Sequence, residues 1–264
     1  MLDHHQFVAD PEDKAVGKTQ AGYVRALVKR YELPPGNPPL RPRVPQAPNL
    51  GRPPGWAQHG LMHGSARGQD LSFRARPAYY DVLDTSSGHV QNAVLSMGDL
   101  QLRSRHGDVR VHRFDLLAIE SVNPALSGLP GDRGASWKFR VGAEPLRLSC
   151  SDCLVGRVQG DIGVGRQWRE GFFAAAYVGG AVQESRRAEG PGFIRSSAAL
   201  ILKPGDTLGG SLVYEYRAPV DSRRGAYGVM QAEVRLALGW RSDLRVAYEH
   251  DGARMVSTGI GVYW

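Results

Sequence analysis

Polar and apolar side chains alternate from about residue 56 to the end of the chain, in segments of about ten residues separated by turn-forming residues. In the segment LVGRVQGDIGVG (154–165), the first residue and every second residue after it are apolar or Gly, whereas Arg157, Gln159 and Asp161 alternate with them. Successive side chains of a β-strand point to opposite faces of the sheet. The pattern therefore predicts strands with one apolar face and one charged face.

The same alternation recurs in TLGGSLVYEYR (207–217), AYGVMQAEVRLALGW (226–240) and DLRVAYEH (243–250). A soluble β-sandwich also alternates, but it packs large apolar side chains between its two sheets. Here the apolar faces mix Leu and Val with Gly and Ala, as in FFAAAYVGGAV (172–182). This composition favours lipid outside the sheet and charged side chains inside it. The residues predicted to line the lumen are Arg157, Gln159, Asp161, Glu215, Arg217, Glu233, Arg235, Arg245 and Glu249.

The segments amount to about twelve strands, and bacterial outer-membrane barrels have even strand numbers. The predicted strands are 57–67, 69–79, 95–105, 109–120, 134–147, 154–167, 171–184, 192–203, 207–218, 226–239, 243–250 and 254–264. The segment 109–120 alternates poorly. We therefore expect an all-β, antiparallel, up-and-down transmembrane β-barrel. Aromatic residues near the segment ends, Phe173 and Tyr263 among them, are expected in girdles at the membrane interfaces.

A short helix and a proline-rich linker are predicted ahead of the barrel. Residues 11–33 carry a rough apolar stripe of helical period, and residues 34–54 hold a run of prolines that excludes helix and central strand. We expect a helical segment over residues 1–33, a linker over 34–55 and the barrel over 56–264.

Charge and cysteine content exclude several classes of function. The formal net charge is +7, from 33 Lys and Arg against 26 Asp and Glu, but the arginines are spread singly, so no nucleic-acid partner is expected. The only cysteines, Cys150 and Cys153, form one CSDC pair; a zinc ribbon needs two such pairs, and a thioredoxin site needs a βαβ context. We expect a local disulfide between them. No metal site, cofactor or catalytic residue is predicted.

The chain ends in STGIGVYW (257–264), which resembles the C-terminal β-signal of bacterial outer-membrane proteins. Ser257, Gly259, Val262 and Trp264 occupy the positions of that motif. The resemblance implies that the barrel-assembly machinery reads this strand during biogenesis. An unpaired strand edge is a physical basis for such capture, because another strand can pair with it.

A second resemblance covers the chain from about Trp56 to Trp264. The motifs RPAYYDVLD (76–84), GDLQLRSR (98–105), RFDLLAIESVNP (113–124) and SWKFRVG (136–142) resemble the C-terminal half of a family of bacterial envelope proteins. In that family a periplasmic Lnb-type module, related to lipoprotein N-acyltransferase, precedes a β-barrel.

The resemblance implies that residues 1–33 are the helical tail of an upstream periplasmic region. The module with its Cys and His pair is missing from this sequence, so no catalytic role passes to Cys150 or Cys153. The first residues also have no apolar core of a signal peptide. We expect a fragment, or a mis-started reading, of a longer protein.

Turn lengths give the expected orientation. The predicted turns at 168–170, 204–206 and 240–242 are short, and outer-membrane barrels have short periplasmic turns and longer external loops. Both ends of the barrel chain are therefore expected on the periplasmic side.

The expected function is an outer-membrane barrel of a Gram-negative bacterium that anchors or positions the periplasmic module and performs no catalysis itself. Its expected partners are outer-membrane lipid, the barrel-assembly machinery and the upstream module of the same protein. A barrel of about twelve strands encloses limited space, so a salt-bridged interior is favoured over a small polar pore. The alternatives are a soluble β-barrel or sandwich that binds a ligand or partner, and a barrel that is itself a lipid-modifying enzyme.

Overall fold

The computed structural model describes residues 52–64, 68–83, 93–122, 135–145, 154–169, 171–184, 190–220 and 225–264. The predicted helix, almost all of the predicted linker, and both cysteines, Cys150 and Cys153, lie outside the described residues. Among the described residues, no helix is long and apolar enough to cross a membrane.

Antiparallel strands make up the fold. They are β1 (Trp56–Gly64), β2 (Gly68–Arg76), β3 (Ala78–Tyr80), β4 (Ala93–Arg105), β5 (Asp108–Ser121), β6 (Ala135–Pro145), β7 (Leu154–Arg169), β8 (Phe172–Gln183), β9 (Gly192–Leu202), β10 (Leu208–Val220), β11 (Tyr227–Ala237), β12 (Ser242–His250) and β13 (Arg254–Tyr263). From β3 and β4 to β13, each strand pairs with its sequence neighbour, which is the up-and-down order.

The sheet closes on itself. The last strand, β13, pairs with β1 in a register that sets Trp56 opposite Tyr263, and β2 pairs with β4 as well as with β1. Both described termini therefore lie at one end of the barrel, which we call the terminus-side end; the opposite end is the distal end. Closure removes the exposed strand edges that an open sheet would present.

The prediction of a closed antiparallel barrel of 12 strands is confirmed, with one correction. The predicted strand 69–79 is interrupted: β2 pairs with β4 as far as Ala75, and pairing resumes with β3 at Ala78. Pro77 has no N–H to give to the ladder, so the strand breaks there. Together β2 and β3 fill a single position in the wall.

The poor alternation of 109–120 also has a structural reason. Strand β5 carries irregularities beside Val111 and Asp115, where its register with the neighbouring strands shifts. Each bulge inserts an extra residue and moves the following side chains to the other face. A strict period of two therefore fails across this strand.

The barrel is apolar outside and charged inside. Outward side chains such as Val182 and Ile162 are 71% and 70% exposed, whereas the inward Arg235 and Asp243 are 1% and 0% exposed. Water cannot stabilise this arrangement, because it would surround the apolar face and leave the ions buried. Lipid around a closed barrel satisfies both faces, as in the outer membrane of Gram-negative bacteria, where we place the protein.

Aromatic side chains mark the terminus-side rim. Trp137, Trp168, Trp240 and Trp264 all point outward and are about half exposed. Phe173 and Tyr263, which were expected in the girdle, instead point inward and are buried. Their strand positions follow the alternation, so being near a strand end does not by itself put an aromatic at the membrane interface.

Candidate functional site: the charged interior of the barrel

The predicted lumen residues all lie on inward faces of their strands, and they divide between two groups of ion pairs. The distal network consists of Arg113, Asp115, Arg140, Glu144, Arg157, Gln159, Asp161, Arg195, Glu215, Arg217 and Glu249. The terminus-side network consists of Trp56, Tyr79, Asp81, Glu233, Arg235, Asp243, Arg245 and Tyr263.

Glu144 on β6 is the centre of the distal network. Its Oε2 accepts a hydrogen bond from Arg140 Nη1 at 2.8 Å, and its Oε1 accepts bonds from Arg217 Nη1 at 3.2 Å and from Arg157 Nη1. Arg217 lies on β10, so this contact reaches across the lumen rather than along the wall. One carboxylate thus compensates guanidinium groups from three strands.

Arg195 on β9 links the rest of this network. Its Nε donates to Asp161 Oδ1 at 2.6 Å, and its Nη1 donates to Gln159 Oε1 at 3.0 Å and to Glu215 Oε2 at 3.1 Å. Glu215 in turn pairs with Arg217, which continues the chain of bonds to Glu144. These shared bonds hold the side chains in fixed positions, because each arginine offers several donors in a rigid fork.

A further pair spans the barrel. Arg113 Nη2 on β5 lies 3.3 Å from Glu249 Oε1 on β12, strands separated by several wall positions. With the Arg217–Glu144 contact, it shows that side chains from opposite walls meet in the middle. Side chains therefore cross the distal half of the interior.

Asp243 organises the terminus-side network. Its Oδ2 accepts bonds from Arg235 Nε at 2.9 Å, Arg245 Nε at 2.9 Å and the hydroxyl of Tyr263 at 2.8 Å. Its Oδ1 accepts a bond from Trp56 Nε1 at 3.2 Å. The carboxylate thus accepts four hydrogen bonds, three of them at Oδ2, which compensate its buried charge.

The residues that follow β3 enter the barrel at this end. We call Asp81–Leu83 the mouth segment. Arg245 Nη1 lies 2.6 Å from Asp81 Oδ2, and Arg235 Nη1 donates to the carbonyl oxygen of Leu83 at 3.0 Å. The Leu83 side chain is 1% exposed. It packs in an inward apolar cluster with Val122, Phe173, Ala175, Tyr177 and Ile201.

Electrostatics favour this closed arrangement. Burial raises the pKa of Asp81, but Arg245, the Leu83 N–H and the Tyr79 hydroxyl outweigh it, so the pKa lies below the ordinary value of 3.8. Asp81 is therefore ionised at neutral pH, and its charge holds the mouth segment to β12.

A third group lies at the terminus-side end of β2 and β4. Asp99 accepts a bidentate pair of bonds from Arg74 at 2.8 and 2.6 Å and a further bond from Arg76 Nε at 2.9 Å. The Arg76 guanidinium stacks over Tyr79, 3.9 Å from the ring centroid, and over Trp56 at 4.9 Å.

The predicted assembly motif splits between the two faces of β13. Ser257 and Gly259 point inward, whereas Val262 and Trp264 point outward and are 51% and 57% exposed. Gly259 lies directly opposite Gly60 on β1 at the closing seam. A Cβ on Gly259 would come within 2.7 Å of Gln58 Nε2 and of the His59 carbonyl oxygen, so the seam has no room for it.

These contacts hold the interior side chains in fixed positions. The ionised side chains described above are held in hydrogen-bonded pairs and shared contacts. Within the described ranges, no group of three or more His, Cys, Asp or Glu side chains is placed to hold a metal ion.

Several central residues escaped the sequence prediction: Asp99, Glu144, Arg195 and Asp243. In β9 the inward face alternates Phe193, Arg195, Ser197 and Ile201, so apolar and charged residues share one face and hide the pattern. A signal was present in the sequence, because Asp99, Glu144 and Arg195 are each a charge between two apolar or small positions of a predicted strand.

Comparison with known proteins gives a family without a described function. The family model "Domain of unknown function (DUF7840)" matches residues 45–258. No curated protein matches the chain by sequence.

Solved outer-membrane proteins share the barrel at low similarity. A KdgM porin in complex with disordered oligogalacturonate has 6% identity and a TM-score of 0.45, covering 80% of this chain and 99% of its own. Outer membrane phospholipase A from Escherichia coli has 9% identity and a TM-score of 0.44, covering 87% and 95%. Omp33 of Acinetobacter baumannii has 8% identity and a TM-score of 0.39, covering 81% and 99%. At these values neither cargo nor catalysis passes from them to this chain.

Proposed function

The chain belongs to the family of the domain of unknown function DUF7840, and from that premise we propose that this barrel is an outer-membrane anchor. It holds or positions a periplasmic Lnb-type module and performs no catalysis itself. The observation that carries the proposal is the occupied interior, in which ion pairs cross the distal half of the lumen and the mouth segment lies in the other half.

The filled interior favours an anchor over a pore. A conducting barrel needs a continuous aqueous path, whereas Arg217–Glu144 and Arg113–Glu249 cross the distal half and Leu83 lies buried in the other half. Opening a path would break several buried ion pairs at once, and each broken pair leaves uncompensated charge.

The placement of the termini supports a role on one side of the membrane. Gly55 and Trp264 exchange backbone hydrogen bonds at 3.2 and 2.9 Å, so the chain enters the barrel where it also ends. The motif RPAYYDVLD (76–84), one of those that resemble the Lnb-linked barrels, reaches this same end and includes the mouth segment. A module attached ahead of the barrel would face the rim that this motif closes.

The test is a fusion in cells of a Gram-negative host. A reporter enzyme with an export signal is joined ahead of residue 1, and a matched fusion lacks residues 56–264. We expect the first reporter in the outer-membrane fraction, protected from protease added to intact cells, and the second in the soluble periplasm. Cleavage of the first reporter in intact cells would reverse the orientation and contradict the proposal.

A second arm tests catalysis. The purified barrel is incubated with phospholipid and a diacylglyceryl lipoprotein, and the lipoprotein mass is followed by mass spectrometry. We expect no gain of an acyl group from this chain alone. An acylated product would show that the barrel is an enzyme rather than an anchor.

A further inference from the structure

Arg76 and Ser96 carry buried donor atoms that no described residue satisfies. Arg76 is 6% exposed and Ser96 is 4% exposed. Arg76 Nη1 and Ser96 Oγ have no hydrogen-bond partner among the described residues. An unsatisfied buried donor costs about 1–3 kcal/mol, so two of them in one place call for an explanation.

The two side chains share one small region of the interior. Ser96 on β4 is the direct cross-strand partner of Tyr79 on β3, and the Arg76 guanidinium lies over the Tyr79 ring. All three point inward. The Tyr79 hydroxyl is occupied by Asp81 at 2.6 Å, so it does not satisfy Ser96.

The guanidinium is fixed before any ligand arrives. Asp99 holds Arg76 Nε at 2.9 Å, and the Tyr79 and Trp56 rings hold its plane. Asp99 is shared with Arg74, so two positive charges contact one carboxylate here. The neighbouring carboxylate, Asp81, is held by Arg245. The free edge of Arg76 is therefore a preorganised donor that an anion would complete.

The wall beside this region is interrupted at the height of the membrane interface. Arg76 pairs with Trp56, the first residue of β1, which places it at the terminus-side rim. The described pairings of β2 and β3 with β4 skip Arg76 and Pro77, and opposite them Gly98 has a φ of +67°. Without ladder pairing to β4, this stretch is held less firmly to the wall on that side.

We infer that Arg76 and Ser96 form a binding site for a phosphate group at the terminus-side rim. Arg76 Nη1 and the Ser96 hydroxyl donate to phosphate oxygens, and the group enters beside Pro77 at the level of the lipid headgroups. A phospholipid headgroup and free phosphate present the same chemistry. The inference goes beyond the anchoring function, because it assigns a ligand to the barrel wall.

The experiment uses the full chain folded in a maltoside detergent, which carries no phosphate. Inorganic phosphate is titrated at constant ionic strength against chloride, and binding is followed by calorimetry and by the melting temperature. In a parallel arm the micelles contain phosphatidylglycerol, or diacylglycerol as the control without phosphate. The variants are Arg76→Lys and Ser96→Ala, with Arg157→Lys and Ser197→Ala as matched interior controls.

We expect saturable stabilisation by phosphate, weakened about tenfold in Arg76→Lys and in Ser96→Ala and unchanged in both controls, since each lost charge-assisted bond is worth about that factor. A response to inorganic phosphate identifies a soluble anion, and a response to phosphatidylglycerol alone identifies a lipid. Absence of both responses, or equal responses in all variants, would leave only buried water at the donors and overturn the inference. If Arg76→Lys does not fold, the phosphate response of Ser96→Ala decides whether the site exists.

Discussion

At the residue scale, the interior depends on a few carboxylates that each serve several arginines. Glu144 accepts bonds from Arg140, Arg157 and Arg217, and its side chain is 11% exposed. Removing a carboxylate that several arginines share leaves more than one positive charge without a partner, since a guanidinium cannot release its proton at neutral pH. The contribution of such a residue to stability therefore exceeds that of a single ion pair.

Glu144→Gln should lower the free energy of unfolding by about 3–5 kcal/mol, the usual cost of breaking a buried pair. Glu249→Gln is the matched control, because Glu249 is 19% exposed and contacts Arg113 at 3.3 Å. We expect a smaller loss for Glu249→Gln, because the side chain of Glu249 is more exposed than that of Glu144, which is 11% exposed. Urea unfolding in detergent micelles measures both, and equal losses would contradict the shared-carboxylate account.

Gly259→Ala tests the closing seam of the barrel. The new methyl group would lie 2.7 Å from the His59 carbonyl oxygen, so the backbone of β1 must move, at a cost of about 1–3 kcal/mol. Gly156→Ala is the control, because a methyl group at that position would have no atom within 4 Å of it.

Refolding in detergent without assembly factors distinguishes an effect of Gly259 on packing at the seam from an effect on recognition by the assembly machinery. If Gly259→Ala refolds as well as Gly156→Ala in detergent but fails to assemble in cells, Gly259 acts through the predicted assembly signal instead. Slow or incomplete refolding in detergent is the result that packing at the seam requires.

At the element scale, the mouth segment is a short turn after β3 that is held inside the terminus-side end through one charge and one apolar side chain. The pKa of Asp81 is depressed in the folded state, so its contribution to stability is fully present above the ordinary value of 3.8 and is lost as the pH falls through the folded pKa. Acid should therefore loosen this segment.

The difference in stability between the natural protein and Asp81→Asn should therefore shrink as the pH falls. We expect the natural protein to melt at the higher temperature at neutral pH, and the two melting curves to converge below pH 3.8. Other carboxylates titrate in both proteins and cancel in the difference. A difference that persists unchanged into acid would show that Asp81 stabilises the mouth segment by shape and not by charge.

The elements were predictable from sequence wherever lipid and lumen impose a period of two, as in β7, where Arg157, Gln159 and Asp161 alternate with apolar or Gly residues. The prediction failed where another constraint intervened. Pro77 breaks a strand by lacking an N–H. Phe173 and Ile201 face inward to receive Leu83, a contact between distant parts of the chain that no local pattern carries.

At the scale of the whole molecule, the apolar outer surface and the ion pairs inside suit the barrel to a surrounding of lipid. Reconstituted into a planar bilayer, the natural protein should show no stable conductance steps of the size of open porins, because contacts such as Arg217–Glu144 occupy the lumen. Steady conductance at neutral pH, in preparations free of other porins, would favour the polar pore over the anchor.

Tryptophan positions test the lipid-facing surface directly. Trp137, Trp168, Trp240 and Trp264 point outward, whereas Trp56 lies inside at 0% exposure and bonds to Asp243. In bilayers of brominated phospholipid, bromine quenches tryptophans that contact lipid, so most of the emission should be lost and a protected fraction should remain. Trp56→Phe should abolish that protected fraction, and Trp264→Phe should leave it in place. Emission that resists bromine throughout would place the apolar face away from lipid and refute the membrane barrel.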